Sequence, residues 1–291
     1  MKVLKEHIRH PDRSFRYLRL ALDAFDLAQH RHPHWELTWI ERGQGVRFVG
    51  DNASAFGAGD LVLLGSELPH TWKSVVRRDG TSLATVLQFP AELLDTPAMP
   101  ELVALKPLRV LAQRGICIVG DTHNRVTRCL SRMEELDALG RALGLLGILR
   151  WISLAPADSR PIATRPMVPG DCAGRDGRAD RVVQWIHAHS ARALALDEAA
   201  RVAAISEAAF SRFFRREMGK TFSDFVNDVR VAQACVRLAD STLPIATVAG
   251  DCGFPTLSHF NRQFRARLGV TPRQYRKPGR PPTHSSNQQA G

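Results

Sequence analysis

Between His30 and Glu36 the chain reads HRHPHWE, which sets His30, His32, His34 and Glu36 at alternating positions. Alternate side chains of an extended strand lie on one face, so four ligating groups can share one interior. Further along, GDLVLLGSELPH runs from Gly59 to His70 and supplies another histidine just after a turn. Two or three imidazoles with a carboxylate suit zinc, iron or manganese, and His30, His32, Glu36 and His70 would be that set. The same residues also suit a pocket that takes a small ligand without metal. That pocket would be lined by His30, His32, His34, Glu36, Trp39, His70 and Trp72. A purely structural role is the third reading, and it is the commoner one for Trp35, Trp39 and Trp72 on strands. The expectation carried forward is the pocket, with no resident cofactor and the metal as its alternative.

A second set of residues suits a polyanion. Phe210–Thr221 reads FSRFFRREMGKT and Phe260–Thr271 reads FNRQFRARLGVT, with Phe, Arg, Phe, Arg, Gly and Thr in register. Two copies are too few for a solenoid but fit a tandem pair of helical units. Phe210, Phe213 and Phe214 turn inward at helical spacing. Ala208, Ser211, Arg212, Arg215 and Arg216 are left outward, as are Ser258, His259, Asn261, Arg262 and Arg265 in the second copy. Arginine pairs bidentately with guanine, asparagine with adenine, and serine with either, while other arginines meet phosphates. A salt bridge to a neighbouring acid is the plain alternative for each arginine.

The charge agrees. The 291 residues carry a net charge of +11 with a sequence pI near 10.2, which favours a polyanionic partner. From Arg181 to Lys277 there are fifteen Lys/Arg against eight Asp/Glu. Five scattered cysteines with no CxxC spacing argue against a disulfide framework or a structural zinc site and fit a reducing cytoplasm. The N-terminus has no apolar segment of a signal peptide, and the run Leu143–Leu154 is too short and polar to span a bilayer. No membrane is expected.

Several elements must position these groups. Glu36–Ile40, Gly45–Val49, Asp60–Leu64 and Ser82–Phe89 read as short strands, with a turn at Gly50–Ala53, and predict a sandwich or small barrel. Residues 123–155 read as two antiparallel helices. In the second, Leu139, Leu143, Leu146, Leu149 and Ile152 form the main stripe, with Leu145, Ile148 and Trp151 beside it. So wide an apolar arc needs two partners, the barrel and a second subunit. Residues 156–178 read as an exposed linker rich in proline and glycine. From 179 to 278 every signal is helical: Asp180–His189, Leu196–Ala203, a turn at Ala204–Ile205, a helix capped by Ser206, and a long helix Phe222–Ala239. The second unit opens at Pro244 and turns at Gly253–Phe254, with Thr256 capping its last long helix. Ala200 aligns with Ala249, Ala204 with Gly253 and Ile205 with Phe254. A short helix, a tight turn and a second helix with a basic outer face follow helix-turn-helix logic.

Arg181–Lys277 resembles the tandem helix-turn-helix domain of the AraC/XylS family. The resemblance is carried by Ala200, Ser206, Phe210, Arg212, Phe214, Gly219, Arg230 and Ala234, and then by Leu238, Ile245, Ala249, Gly253, Phe254, Phe260, Arg262, Phe264, Gly269, Thr271, Pro272, Tyr275 and Arg276. It departs at Ala204, where glycine is common. The N-terminal half resembles the cupin fold, a jelly-roll barrel. His30, His32, Glu36 and Gly43 meet the first cupin motif. In the second motif Gly59 and His70 fit, but Gly65, Glu67 and Ser74 stand where proline, glycine and asparagine are usual. These resemblances imply a two-domain chain: a cupin-like effector domain over 1–122, a helical dimerisation hairpin over 123–155, a linker, an all-α DNA-binding domain over 179–278 and a disordered tail over 279–291. They imply a non-enzymatic homodimer that regulates transcription on double-stranded DNA in response to a small molecule, with RNA polymerase a further partner. Base contact carries over by family position to Ala208, Ser211, Arg212, Ser258, Asn261 and Arg262. The competing function is a metal-dependent cupin enzyme or metal sensor joined to a DNA-binding domain.

Overall fold

The computed structural model describes residues 14–26, 29–74, 81–95, 99–166 and 177–276. The expected tail 279–291, Cys172 and the linker residues 167–176 lie outside the described residues.

The N-terminal half builds two antiparallel sheets. The larger contains β1 (Arg16–Leu22), β2 (His34–Arg42), β5 (Leu61–Leu64), β7 (Ser82–Pro90), β8 (Ile116–Ile118) and β9 (Ser159–Pro161), in the order β1-β7-β2-β5-β8-β9. The smaller is β4-β3-β6, from β3 (Gly45–Val49), β4 (Asn52–Phe56) and β6 (His70–Ser74). The hairpin turn expected at Gly50–Ala53 joins β3 to β4 with Val49 opposite Asn52. The expected barrel is not closed among the described residues. The sheets meet through packed faces, and isolated bridges pair Asp26 with Lys73 and His30 with His70. Strands β3 and β4 also give Val46, Phe48 and Ala53 to a core shared with the C-terminal helices.

The sheets' main core holds Trp35, Leu37, Leu61, Leu63, Leu87 and Phe89, covered by α1 (Lys106–Ala112), α2 (Gly120–Arg132) and α3 (Ala138–Leu154). The α3 face differs from the stripe expected. Leu145, Ile148, Leu149 and Ile152 are buried, whereas Leu139 and Leu143 are 66% and 61% exposed. The helix is apolar nearly all round, so periodicity alone could not choose its inner face. Gly144 fixes the choice, since a Cβ there would lie 2.6 Å from Met133 Cε. Among the described residues no helix is long and apolar enough to cross a membrane.

Residues 156–166 are not the exposed linker their composition suggested. Strand β9 pairs with β8, Ala163 is buried, and Thr164 binds the Asp51 carboxylate through its backbone N–H (2.8 Å) and its hydroxyl. Proline is tolerated at an edge strand, and composition could not reveal that role. Arg165 then donates to the carbonyl of Arg216 (3.0 Å).

The C-terminal half is all helix: α4 (Arg178–His189), α5 (Leu196–Ala203), α6 (Glu207–Met218), α7 (Phe222–Asp240), α8 (Ile245–Asp251), α9 (Leu257–Leu268) and a short α10 (Pro272–Tyr275). The long α7 carries two cores, one around Phe210, Phe214 and Phe225 and the other around Phe254, Phe260 and Phe264.

Candidate nucleic-acid interface

The two units close their turns with the same bonds. Ile205 N–H donates to Ala200 O (3.1 Å) and Phe254 N–H donates to Ala249 O (3.0 Å), which fixes the register read from sequence. Both turns need a left-handed residue, Ala204 at φ 53° and Gly253 at φ 83°. The first turn has room for a methyl group. In the second, a Cβ on Gly253 would lie 2.3 Å from Ser190 O and 3.0 Å from Arg230 Nε. Thr256 caps α9 by accepting from His259 N–H (3.1 Å). Ser206 occupies the equivalent place before α6 without a side-chain cap bond.

With the phenylalanines inside, α6 presents Ala208, Ser211, Arg212, Arg215 and Arg216, and α9 presents Ser258, Asn261, Arg262 and Arg265, all exposed except for a partly buried Ala209 between them on α6. Arg212, Arg215, Arg262 and Arg265 make no side-chain hydrogen bond or ion pair among the described residues. The salt-bridge alternative therefore applies only to Arg216, which pairs with Glu217 (3.0 Å) and lies 5.7 Å from the centre of the Phe213 ring. His259 differs from expectation: it is half-buried, its ring edge-on to Phe254 at 5.8 Å. Burial, aided by Arg262, lowers its pKa. Asn261, Arg262 and Arg265 also line a cavity of about 470 Å³ with Thr271 and Arg273.

Two arginines that resemble these in sequence do other work. Arg267 Nε binds Asp228 (2.6 Å) and its Nη2 donates to Asp224 O (3.1 Å), tying α9 to α7. Arg230 donates to Ser190 O (2.9 Å) and Arg192 O (2.7 Å), tying α7 to the segment between α4 and α5. Their partners come from distant stretches, which sequence spacing could not pair.

In the N-terminal half, His30, His32, Glu36 and His70 do come together, one ligating atom from each lying within 4.8 Å of the others. His32 Nε2 is 3.1 Å from Glu36 Oε2 and His70 Nε2 is 3.6 Å from it. Glu36 also accepts from Thr38 (2.6 Å) and Gln88 (2.9 Å), partners that went unread in the sequence. Burial alone would raise the Glu36 pKa, but His70 and His32 hold it well below the usual carboxylate range. His34 lies on β2 with its ring 6.1 Å from that of His32. Trp35 is core against Phe89, Trp39 is half-buried on the same core, and Trp72 is buried and donates to Asp60 (3.2 Å). Asp60 also takes a buried ion pair from Arg47 (2.5 Å). The cupin-motif departures have local reasons. Gly65 N–H donates to Ala112 O (2.9 Å), a bond proline could not make. Glu67 adopts a left-handed backbone (φ 60°), a conformation that glycine holds without strain.

A helix-turn-helix domain family matches residues 199–278. The chain is 26% identical over 272 residues to the HTH-type transcriptional activator RhaR of Escherichia coli K12, covering 89% of each chain. Among solved structures it is similar to the DNA-binding domain of AdpA in complex with a target DNA, at 31% identity over 34% of this chain and 89% of that one, with a TM-score of 0.33. It is also similar to ToxT of Vibrio cholerae O395, at 13% identity over 90% of this chain and 97% of that one, with a TM-score of 0.38.

The chain carries an AraC-type helix-turn-helix domain. It is a DNA-binding regulator of transcription.

The helix-turn-helix domain is not isolated from the sheets. Phe48 of β3 packs edge-on to His187 of α4 (5.3 Å) and against Phe225 of α7 (6.4 Å). Burial, with a smaller contribution from Lys73, pushes the His187 pKa down to about 4. Beside this contact a cavity of about 490 Å³ is walled by both halves, including Arg47, Arg114 and Arg160 on one side and Lys220, Ala232 and Tyr275 on the other. The buried thiols are inert: desolvation pushes Cys235 up to about 12, and Cys117 and Cys252 up to about 11.

Proposed function

We propose that this protein binds a specific double-stranded DNA site by laying α6 and α9 in the major groove, and that a small-molecule effector sets that binding from the N-terminal half. The carrying observation is the pair of exposed helix faces. Each combines small or amide side chains with two arginines that have no hydrogen bond or ion pair among the described residues. Base contact falls to Ala208, Ser211 and Arg212 on α6 and to Ser258, Asn261 and Arg262 on α9. Arg215, Arg216 and Arg265 serve phosphates. His259 orients the start of α9 through Phe254. The second half-site is read more sharply, because only α9 offers an amide beside its arginine.

Residues 1–122 form the cupin-type effector region in this reading, 123–155 the dimerisation hairpin and 179–278 the DNA-binding domain. The cavity between the halves is a seat where an effector would act on both, since its volume falls in the range of small-molecule sites. A ligand there shifts the balance only if it favours one arrangement of the junction over another. Leu139 and Leu143 would meet a second copy of the chain, an exposed apolar pair that such a contact would cover. The relative RhaR is named as an activator, which favours activation over repression; contact with RNA polymerase in the cytoplasm completes the reading.

Selection of bound sequences from random DNA supplies the operator. On that operator Arg262→Ala should weaken binding by about 1–3 kcal/mol and relax preference at one base position. An equal loss on every sequence would assign Arg262 to phosphate instead, and the absence of any selected sequence would overturn the reading.

A further inference from the structure

We propose that Asp228 is a positioning residue that sets the angle between α6 and α9, and through that angle the spacing of the two DNA half-sites. The spacing rests on the reading that both helices enter the major groove; the angle does not.

The two oxygens of this one carboxylate go to different helix-turn-helix units. Lys220, in the turn after α6, donates from Nζ to Asp228 Oδ2 (2.8 Å). Arg267, in the last turn of α9, donates from Nε to Asp228 Oδ1 (2.6 Å). Asp228 itself lies on α7, the helix against which both units pack. Charge-assisted bonds to a carboxylate are short and strong, and a bond to each oxygen fixes direction as well as distance. The C-terminal ends of α6 and α9 are therefore both referred to one point.

Both arms are held from behind. Lys220 stands between Gly219, which ends α6, and Thr221, which caps α7 by accepting from Asp224 N–H (3.1 Å). Its backbone is thus pinned between two helix ends. Arg267 spends Nη1 on the Gln263 side chain of its own helix and Nη2 on the Asp224 carbonyl (3.1 Å). A planar guanidinium engaged at all three nitrogens cannot turn away from Asp228.

The apolar contacts leave this angle to be set. The two cores lie apart along α7, one around Phe210, Phe214 and Phe225 and the other around Phe254, Phe260 and Phe264. Apolar burial is non-directional, so each core holds its unit without fixing how one unit faces the other. At the start of the second unit, the turn at Gly253 sits against the Ser190 carbonyl, which Arg230 also binds (2.9 Å). That contact is a pivot near the N-terminal end of α9. Asp228 takes up the remaining swing at the other end.

The repeat agrees. In the fifty-residue register Arg267 stands where the first copy has Glu217, and Val270 where it has Lys220. The shared phenylalanines and glycines build each unit, whereas the bridge uses positions at which the copies differ. A link between the units must be asymmetric in that way. Stability is a poor account of it. The Lys220, Asp228 and Arg267 side chains are 18–20% exposed, so water screens the pairs and Asp228→Asn strands no charge out of solvent.

The test uses the full chain with Cys129 and Cys172 changed to serine and spin labels at Ser211→Cys and Ser258→Cys, one on each recognition helix. Cys117, Cys235 and Cys252 are buried and stay unlabelled. Electron–electron distance measurement without DNA should give one narrow distance for the parent. Asp228→Asn should broaden or shift it, with the parent's melting temperature and far-ultraviolet circular dichroism kept. Lys220→Met, which cuts only the α6 arm, should do the same and decides the matter where Asp228→Asn fails to fold. A distribution unchanged in the folded variants overturns the proposal, as does a parent distribution already as broad as theirs. Unlabelled chains then bind the selected operator with its half-sites moved apart or together by one base pair. That shift should cost the parent about tenfold in affinity and either variant about threefold or less. An equal loss at every spacing overturns the spacing role. Failure to select any operator overturns the DNA reading above, and the distance measurement still decides on Asp228.

Discussion

Gly253→Ala should cost far more than the single methyl group it adds. Gly253 has φ 83°, and a non-glycine residue in the left-handed region costs about 1–2 kcal/mol. The new Cβ would also lie 2.3 Å from Ser190 O, so that carbonyl or the turn must retreat. Retreat strains the 2.9 Å bond from Arg230 Nε to the same oxygen, a buried hydrogen bond from a charged donor worth about 1.5–3 kcal/mol. Together the loss is about 3–5 kcal/mol, a large part of the stability of an ordinary domain. Hydrogen exchange should show α8 and α9 losing protection while α5 and α6 keep theirs. Binding should lose discrimination in one half-site only. The paired control is Ala204→Gly, where the same conformation is already strained and nothing crowds it. That variant should be unchanged or more stable by up to about 1 kcal/mol. The reasoning is refuted if Gly253→Ala stays within about 1 kcal/mol of the parent with α9 protection unchanged.

Leu139→Glu with Leu143→Glu should convert a dimer to a monomer in sedimentation without lowering the melting temperature, because both side chains are exposed in the single chain; a parent that is already monomeric refutes the dimerisation reading. His187 makes the junction sensitive to acid. Its folded pKa of about 4 lies below the ordinary 6.5, so the unfolded chain takes up the proton first and stability falls as pH drops from about 6.5 towards 4. Lys73 opposes its protonation and Asp26 favours it. The loss reaches about 2 kcal/mol for this half-buried ring, and urea titrations of the parent and His187→Phe across that range should diverge in slope. Parallel slopes refute it.

The helical half was legible because its signals are local. Phenylalanines at helical spacing, glycine at helix ends and threonine caps each act within one turn, and α5 and α6 fell where they were read. The register Ala200/Ala249 was legible for the same reason. The histidine cluster was half legible: His30, His32 and Glu36 do meet, but His30 and His32 precede β2 and His34 stays outside the cluster, so strand alternation is not what joins them, and Thr38 and Gln88 reach Glu36 through sheet register that no single stretch contains. Strands β1, β4, β6, β8 and β9 were not named from the sequence; three-residue β8 and β9 carry no period and exist by pairing with each other and with β5. Arg230 and Arg267 look like their exposed neighbours, and only tertiary partners separate an arginine that clamps helices from one free to meet DNA.

The contact of Phe48 with Phe225 bears on how this chain can be divided. A domain whose core is completed by its neighbour is not a cassette. A cut between 166 and 177, the natural place to build a chimera, would leave Phe225, Val229 and Ala232 without the cover of Val46, Phe48 and Ala53. The DNA-binding half should therefore need a solubilising substitution on α7, or a foreign N-terminal half shaped to the same groove, before it can be grafted.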